Sequence, residues 1–282
     1  MNKQITPCLW FNNQAKEAAA LYCSIFEQSK ITLQSPMVIE IEVLMQKFIL
    51  LDGGPMFKPN PSISFYYICE NESELDAIWN AFSKEGQILM PLDKYPWGEK
   101  YGWITDKFGV SWQLALGAIS DVGQKITPCL LFSGEQYGRV DEAITHYSSI
   151  FENPKIDGIL RYSSDEFPDQ EGKVKHAQIG FAGQKFMLME SAASHDFNFT
   201  EGVSLTVYCE TQDEIDYYWQ ELSKNGSESM CGWLKDKFGV WWQVIPAQLG
   251  EIMSDPNKAE KVGQALMVMR KLNIEQLVNA SI

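Results

Sequence analysis

Basic residues are scarce in this sequence. It contains 23 Lys and Arg against 37 Asp and Glu, for a net charge of -14, and no basic cluster. Nucleic acids and anionic membranes both attract basic patches, so the composition argues against either partner. No apolar run reaches the roughly 18 residues of a membrane span, and the first residues lack the basic start and apolar stretch of a signal peptide. We therefore expect a cytoplasmic protein.

Two kinds of motif are also missing. None of the six cysteines forms a CxxC pair, which gives a structural zinc site no support. The cysteines lie in apolar segments, a pattern that predicts buried, reduced thiols rather than disulfides. No GxGxxG turn occurs, so the glycine-rich turn with which Rossmann-type enzymes approach a cofactor is absent.

The sequence does contain long internal repeats. DKFGVSWQL at 106–114 returns as DKFGVWWQV at 236–244, and ITPCL at 5–9 returns at 126–130. YCSIFE at 22–27 returns as YSSIFE at 147–152. The matched blocks keep their order while the offset between them changes, as expected after duplication of a whole domain. We predict a first module at 1–118, a second module at 124–246 and a tail at 247–282.

Each repeat shows the same order of predicted elements. A strand and an amphipathic helix are followed by short β-rich runs, and the series then occurs again, which indicates two βαβββ units per repeat. The second repeat is shorter between Gly226 and Gly232, where the first carries QILMPLDKYPWGEKY. This difference predicts the loss of a hairpin. In the tail, Asp255 and Pro256 predict a helix start.

Several blocks together resemble a known family. ITPCLWF, AKEAAALYCSIFE and LMPLDKYPWGEKYGWITDKFGVSWQL are similar to the PhnB-like family of the vicinal oxygen chelate superfamily, which has the glyoxalase/bleomycin-resistance fold. The resemblance implies an α+β fold of tandem modules made of paired βαβββ units. Their curved mixed sheets would enclose a cleft on the concave face and carry helices on the convex face. The two modules would pair within one chain as an internal pseudo-dimer, and further homo-oligomers are possible.

The resemblance implies more than one activity. A protein that only binds a small organic molecule, as bleomycin-resistance proteins do, needs no more than the cleft. A metal-dependent lyase, dioxygenase or transferase of the superfamily needs metal ligands as well. Domains of this family also carry the name 3-demethylubiquinone-9 3-methyltransferase, although the sequence has no glycine-rich cofactor turn. We expect the first of these functions, without a cofactor.

Metal-dependent members of the superfamily place ligands on strands one, four, five and eight of a module. The corresponding residues are Pro7, Asp52, Ser64 and Gln113 in the first repeat, and Pro128, Glu190, Ser204 and Gln243 in the second. One carboxylate and one amide without an imidazole suit a transition metal poorly, so we expect no tightly held metal. A shift of one residue in the first strand would turn Cys8 or Cys129 toward the cleft instead.

All three histidines lie in the second repeat, which predicts that this repeat holds the working pocket. Strand alternation places His176 toward the cleft or solvent, whereas His146 is expected at the surface. A pocket for a partly apolar or aromatic molecule would use His176, Glu190, His195, Phe197, Phe199, Trp233, Trp241 and Gln243. Two alternatives stay open: Glu190 and Gln243 at exposed strand ends, and His195 with its neighbouring phenylalanines as loop and core residues. In the metal-dependent alternative, Glu190 and a histidine would be ligands.

Overall fold

The structure, a computed structural model, describes residues 4–281, apart from the side chains of residues 254 and 256. The first residues of the predicted first module and the last residue of the tail therefore lie outside the described residues. The described strands are β1 (Thr6–Phe11), β2 (Ser29–Gln34), β3 (Val38–Val43), β4 (Gln46–Asp52), β5 (Ile63–Cys69), β6 (Gln87–Tyr95), β7 (Gly98–Thr105), β8 (Ser111–Leu116), β9 (Ile126–Ser133), β10 (Lys155–Arg161), β11 (Val174–Phe181), β12 (Gln184–Ser191), β13 (Val203–Cys209), β14 (Ser227–Glu228), β15 (Trp233–Lys235) and β16 (Trp241–Pro246). The α-helices are α1 (Ala15–Ile25), α2 (Glu72–Ser83), α3 (Val140–Ile150), α4 (Gln212–Ser223), α5 (Leu249–Ser254), α6 (Pro256–Met267) and α7 (Ile274–Ala280).

Four βαβββ units follow one another along the chain, two in each repeat. Each unit contains one helix between its first and second strands. The hairpin that the sequence predicted to be lost from the second repeat is instead shortened: β14 pairs with β15, but β14 has 2 residues where its counterpart β6 has 9. The α+β class and the tandem arrangement of units are those expected from the resemblance.

The units are exchanged between the two repeats. Sheet 1 has the order β14-β15-β16-β13-β1-β4-β3-β2, and sheet 2 has the order β10-β11-β12-β9-β5-β8-β7-β6. Each sheet therefore joins one unit of the first repeat to one unit of the second. The joints are the antiparallel pairs β1 with β13 and β5 with β9. Because neither repeat forms a sheet by itself, the pseudo-dimer is interlocked.

The helices of the repeats lie between the two sheets. Helix α1 contacts sheet 1, α2 contacts sheet 2, and the two helices contact each other; α3 and α4 repeat this arrangement. Apolar side chains from both sheets and all four helices form one continuous core. The opposite, concave face of each sheet carries no helix of the repeats, and it is this face that the cleft of the fold uses.

The repeated nonapeptide connects the two sheets. Oδ1 of Asp106 accepts hydrogen bonds from the backbone N–H groups of Phe108 and Val110, which closes a turn where Gly109 has φ +86°. Oδ2 accepts from Nε1 of Trp112 and from the hydroxyl of Tyr22. Asp236 makes the same four contacts in the second repeat. The motif is a hairpin, as predicted, and its aspartate also holds the helix of the neighbouring unit.

The tail occupies the place of the missing part of the shortened β14–β15 hairpin. The N–H of Cys231 donates to the carbonyl of Met269 at 2.7 Å, and the N–H of Gly232 donates to the carbonyl of Arg270 at 2.8 Å. In sheet 2 the corresponding residue, Tyr101, pairs with β6. The predicted helix start is confirmed, because Asp255 caps α6. None of the described helices is long and apolar enough to span a bilayer.

Candidate functional site

A row of paired residues crosses the concave face of sheet 1. Glu40 in β3 is in register with Ile49 in β4, Ile49 with Cys8 in β1, and Cys8 with Ser204 in β13. Side chains directly opposite one another in paired strands point to the same face. Their neighbours along the strands, such as Leu9, belong to the core on the helix side. The row therefore forms the floor of the cleft.

A buried polar cluster lies at the centre of this floor. Nε2 of Gln243 donates a 2.9 Å hydrogen bond to Oγ of Ser204. The thiol of Cys8 lies beside both side chains, and burial raises its pKa to about 12. Cys8 is therefore a neutral thiol at physiological pH. The open alternative for the first strand is the one observed: Cys8, and not Pro7, faces the cleft.

Sheet 2 has the same cluster with one additional member. Nε2 of Gln113 donates to Oγ of Ser64 at 2.8 Å, and burial raises the pKa of Cys129 to about 12. In addition, the hydroxyl of Tyr101 donates to Oε1 of Gln113 at 2.7 Å. In sheet 1 the position of Tyr101 is taken by Cys231, which has no hydroxyl to supply this contact.

The two concave faces differ in access. In sheet 1 five positions are half-buried: Trp10, Tyr208, Cys231, Trp241 and Ile245. Their counterparts in sheet 2 are between 0% and 6% exposed: Leu131, Ile68, Tyr101, Ser111 and Ala115. Sheet 2 is covered because Tyr95 and Trp97 of the long hairpin pack edge-on against Tyr101 and because Val122 of the linker packs on Ile68. In sheet 1 the hairpin is short and the tail covers only one end of the face, beside Ile245 and Glu40, so its cleft is the more open one.

Aromatic side chains form one wall of the open cleft. The ring centres of Trp10 and Trp233 are 6.0 Å apart, and Phe57 packs edge-on against Trp10 at 5.1 Å. Nε1 of Trp10 donates to the carbonyl of Gly54 at 2.8 Å, which fixes the indole. A Cβ atom at Gly53 would overlap the Trp10 ring, so glycine is required there.

Further polar side chains lie on the concave face beside the floor row. The hydroxyl of Tyr208 donates to Oε1 of Glu40 at 3.2 Å, and burial together with Glu40 raises the pKa of this tyrosine. Oγ1 of Thr206 is buried and has no hydrogen-bond partner among the described residues. Thr206 is in register with Thr6, which lies two residues before Cys8 and therefore on the same side of β1. Thr206 thus also points to the concave face. The cleft thus combines an aromatic wall, a neutral polar floor and one carboxylate.

The sequence matches the family described as 3-demethylubiquinone-9 3-methyltransferase, over residues 3–115 and again over 124–245. The chain belongs to this family. The PhnB protein of Bacillus cereus is 35% identical, over 41% of this chain and 100% of that chain, with a TM-score of 0.38. The Pseudomonas aeruginosa protein PA1353 is 25% identical, over 40% and 96%, with a TM-score of 0.36.

Glyoxalase I from Zea mays matches across both repeats. It covers 87% of this chain and 92% of its own, with a TM-score of 0.57 at 10% identity. At that identity the likeness concerns the fold alone, which is the vicinal oxygen chelate fold expected from the resemblance. No curated protein gives a match.

In this family member, the structure brings only three of the predicted site residues together. Trp233, Trp241 and Gln243 share the concave face of sheet 1. His176 lies on the concave face of sheet 2, where burial lowers its pKa. Glu190, also in sheet 2, faces the helix side, where the N–H of Val174 donates to its Oε1. Exchange of units between the repeats separates these residues.

The remaining predicted residues lie in the loop after β12. The rings of His195 and Phe197 are 4.9 Å apart, and Phe199 packs edge-on against Phe132 of the core at 5.3 Å. His146, expected at the surface, is half-buried against Phe238, and burial lowers its pKa. Sequence reasoning left Cys8 open as an alternative and missed three other contributions of the first repeat, from Trp10, Glu40 and Phe57. For Glu40 a signal was available: in VIEIEV the glutamates alternate with isoleucines, so Glu40 points to the other side of the strand from Ile39 and Ile41.

The residues of the cleft do not fit a metal ion. The floor offers a neutral thiol, a hydroxyl and an amide, without an imidazole. No group of three or more His, Cys, Asp or Glu side chains suited to a metal occurs in the described residues. Asp52, predicted at a ligand position, instead accepts from the N–H of Ala15 at the start of α1, at 3.0 Å.

Two other cavities lie on the helix side of the fold. One, of about 380 Å³, lies between α1 and α2 beside Ala77, at the position where the second repeat has Tyr217. Two lysines line it, Lys84 and Lys107, and Lys107 is ion-paired with Glu17 and Glu85. The other, of about 480 Å³, is a polar depression beside His146 and Lys237. Neither contains residues of the repeated polar clusters, so we place the candidate site on the concave face of sheet 1.

Proposed function

We propose that the concave face of sheet 1 binds a small organic molecule with an apolar or aromatic body, without a tightly held metal. The observation that carries this proposal is the difference between two sheets of the same design. Sheet 2 buries its concave residues under its own hairpin and linker, whereas sheet 1 leaves the matched residues half-buried. Accessible aromatic side chains in a concave site are typical of ligand-binding clefts.

The chemistry of the cleft suits a ligand that donates hydrogen bonds. The amide nitrogen of Gln243 is engaged by Ser204. Its Oε1 corresponds to the atom of Gln113 that accepts from Tyr101, and Cys231 cannot supply that donor. This oxygen and the carboxylate of Glu40 are acceptors, and Trp10 and Trp233 provide flat apolar surface beside them.

The proposed site draws on both repeats. Trp10 and Glu40 come from the first repeat, and Trp233 and Gln243 come from the second. This differs from the expectation that the second repeat alone holds the pocket. The proposal keeps Trp233, Trp241 and Gln243 as ligand-binding residues and adds their neighbours across the β1–β13 joint.

The fluorescent probe N-phenyl-1-naphthylamine tests this proposal, since it has two aromatic groups and one N–H donor. We expect saturable binding of one probe per chain. Trp233→Ala should weaken binding at least about fivefold, because removing a ring that contacts an aromatic ligand costs about 1–3 kcal/mol. The matched change in sheet 2, Trp103→Ala, should leave binding unchanged. No saturable binding, or loss of binding in Trp103→Ala alone, would contradict the proposal.

A further inference from the structure

We propose that the ligand of this cleft is a cationic amine whose charge is bound by the carboxylate of Glu40. The inference rests on the proposed function and names the class of molecule that the site takes. It depends on the position of Glu40, on the charges around it and on a comparison with the matched residue of sheet 2.

Glu40 lies on the floor of the cleft and not at its outer rim. Its neighbours in β3, Ile39 and Ile41, are buried in the helix-side core, so alternation turns Glu40 to the concave face. Its side chain is half-buried, accepts from the hydroxyl of Tyr208 and acts electrostatically on the thiol of Cys8. A charge at Glu40 therefore reaches the central polar cluster.

The tail covers Glu40 from above. A Cβ atom placed at Gly250 in α5 would lie 3.7 Å from Oε1 of Glu40 and 3.5 Å from the side chain of Leu33. Helix α5 thus passes directly over this end of the cleft. Partial exclusion of water strengthens the interaction of a carboxylate with an opposite charge.

Among the described residues, Glu40 has no cationic partner. Glu42, two residues further along β3, has Lys30 at 3.4 Å. In the described part of the chain, no Lys or Arg nitrogen is paired with Glu40 within 4 Å. Two further lysines, Lys47 and Lys235, also lie on the concave side: Lys47 is in register with Glu42, and Nζ of Lys235 is 5.8 Å from the Trp241 ring centre. Neither is ion-paired with Glu40. The negative charge of Glu40 is left for a ligand.

The matched residue of sheet 2 has no charge. Gln178 is in register with Met187, and Met187 with Cys129, which is the relation of Glu40 to Ile49 and Cys8. Nε2 of Gln178 donates to the carbonyls of Asp121 and Val122, at 3.3 and 3.4 Å. The neutral residue holds the linker that closes sheet 2. Nε2 of Gln178 also lies 3.4 Å from Oδ2 of Asp157, but that carboxylate is ion-paired with Lys155 and Lys185. The matched position therefore carries a carboxylate in the open cleft and a neutral amide in the covered one.

The charge of Glu40 discriminates among ligands of one shape. A neutral ligand displaces water from the carboxylate without compensating its charge, which is unfavourable, and an anion is repelled. A cationic amine supplies both the charge and N–H donors, and hydrogen bonds to charged groups are about twice as strong as neutral ones. The aromatic side chains around Trp10 accept the apolar part of the same molecule, and indole faces also attract cations.

Calorimetric titration of the full chain with three matched compounds tests the inference: 2-phenylethylammonium, 2-phenylethanol and 3-phenylpropionate. We expect the amine to bind at least about tenfold more tightly than the alcohol, and the carboxylate to bind most weakly. Glu40→Gln should reduce the preference for the amine to about twofold or less while the Kd of the alcohol stays within about twofold. Glu42→Gln, which changes a carboxylate on the same strand, should preserve the preference.

A second measurement uses the unaltered protein. Raising sodium chloride from about 50 mM to about 500 mM should weaken binding of the amine and leave binding of the alcohol unchanged, because salt screens the interaction between charges. Equal affinities for amine and alcohol, or a preference that persists in Glu40→Gln, would overturn the inference and leave the proposed function standing. Absence of binding by all three compounds would contradict the proposed function, and this inference with it.

Discussion

The hydroxyl of Tyr22 lies 2.7 Å from Oδ2 of Asp106, and Tyr147 lies 2.7 Å from Oδ2 of Asp236. Tyr22 belongs to the helix of sheet 1, whereas Asp106 belongs to a hairpin of sheet 2. Each pair therefore connects the two units of one repeat after exchange has placed them in different sheets. This role explains why the DKFGV motif occurs twice: each repeat needs one such connection.

Removing the hydroxyl of Tyr22 should lower the free energy of unfolding. Tyr22→Phe leaves the buried Asp106 carboxylate with one donor fewer, which costs about 1–3 kcal/mol. Urea denaturation measures this change. Tyr95→Phe is the control, because the Tyr95 hydroxyl also makes one hydrogen bond, to the carbonyl of Pro91, but at the surface. Equal stability losses in the two variants would show that the buried contact has no special role.

The buried aspartates predict a specific pH dependence of stability. Burial raises the pKa of Asp106 and of Asp236 from 3.8 to about 6. Between these values the folded protein binds more protons than the unfolded chain, so stability falls as the pH rises, by up to about 1.4 kcal/mol per pH unit for each group. The contribution is complete below pH 4 and lost above pH 6.

Comparison with Asp106→Asn isolates this contribution. The lowered pKa values of His146 and His176 act in the opposite direction, but they occur in both proteins and cancel in the difference. The stability of the unaltered protein minus that of Asp106→Asn should decrease from pH 4 to pH 6 and be constant above about pH 7. Urea denaturation at these pH values gives the difference, and parallel stability curves would contradict the assignment.

Thiol reactivity should separate the cysteines into two groups. Cys8, Cys69, Cys129 and Cys209 are buried, whereas Cys23 and Cys231 are half-buried. Burial raises the pKa of the first-strand thiols Cys8 and Cys129, which suppresses the reactive thiolate. Iodoacetamide at pH 8 should therefore modify Cys23 and, more slowly because partial burial also raises its pKa, Cys231 in the folded protein, and all six cysteines in urea. Rapid modification of Cys8 in the folded state, read by mass spectrometry, would show that the cleft floor is more accessible than described.

The family name predicts binding of a methyl donor, whereas the fold predicts that S-adenosylmethionine does not bind. After β1 the chain continues with Asn12, Asn13 and Gln14 into α1, without the glycines that let a backbone approach a nucleotide cofactor. Calorimetric titration with S-adenosylmethionine should give no heat of binding, with the naphthylamine probe confirming active protein. Stoichiometric binding would restore methyl transfer as a candidate activity.

Local sequence patterns predicted the elements well. Alternation and helical spacing reveal the βαβββ units. The shorter second copy between Gly226 and Gly232 predicted the loss of a hairpin, and the structure shows a shortened one. These features depend on residues close together in the chain. Local patterns also predicted the turn of the DKFGV motif. They gave no sign of Tyr22, the partner of its aspartate, which is 84 residues away in the chain.

Local sequence patterns could not predict that each sheet combines one unit from each repeat. Thr6 pairs with Thr206, and nothing in either strand's own pattern indicates that partner. The predicted site consequently joined Glu190 to Gln243, which belong to different sheets. The choice between Pro7 and Cys8 depended on a single-residue register, which only the packing of Leu9 and Phe11 against the helices determines. Because all three histidines lie in the second repeat, the site was predicted there. The carboxylate of the open cleft, Glu40, lies in the first repeat.

A crystal structure of the protein with 2-phenylethylammonium tests the account most directly. We predict one bound molecule on the concave face of sheet 1, with its ring beside Trp10 and Trp233 and its nitrogen within about 3 Å of a Glu40 oxygen. A molecule bound on the concave face of sheet 2, or at the cavity beside Ala77 with the cleft of sheet 1 empty, would contradict it.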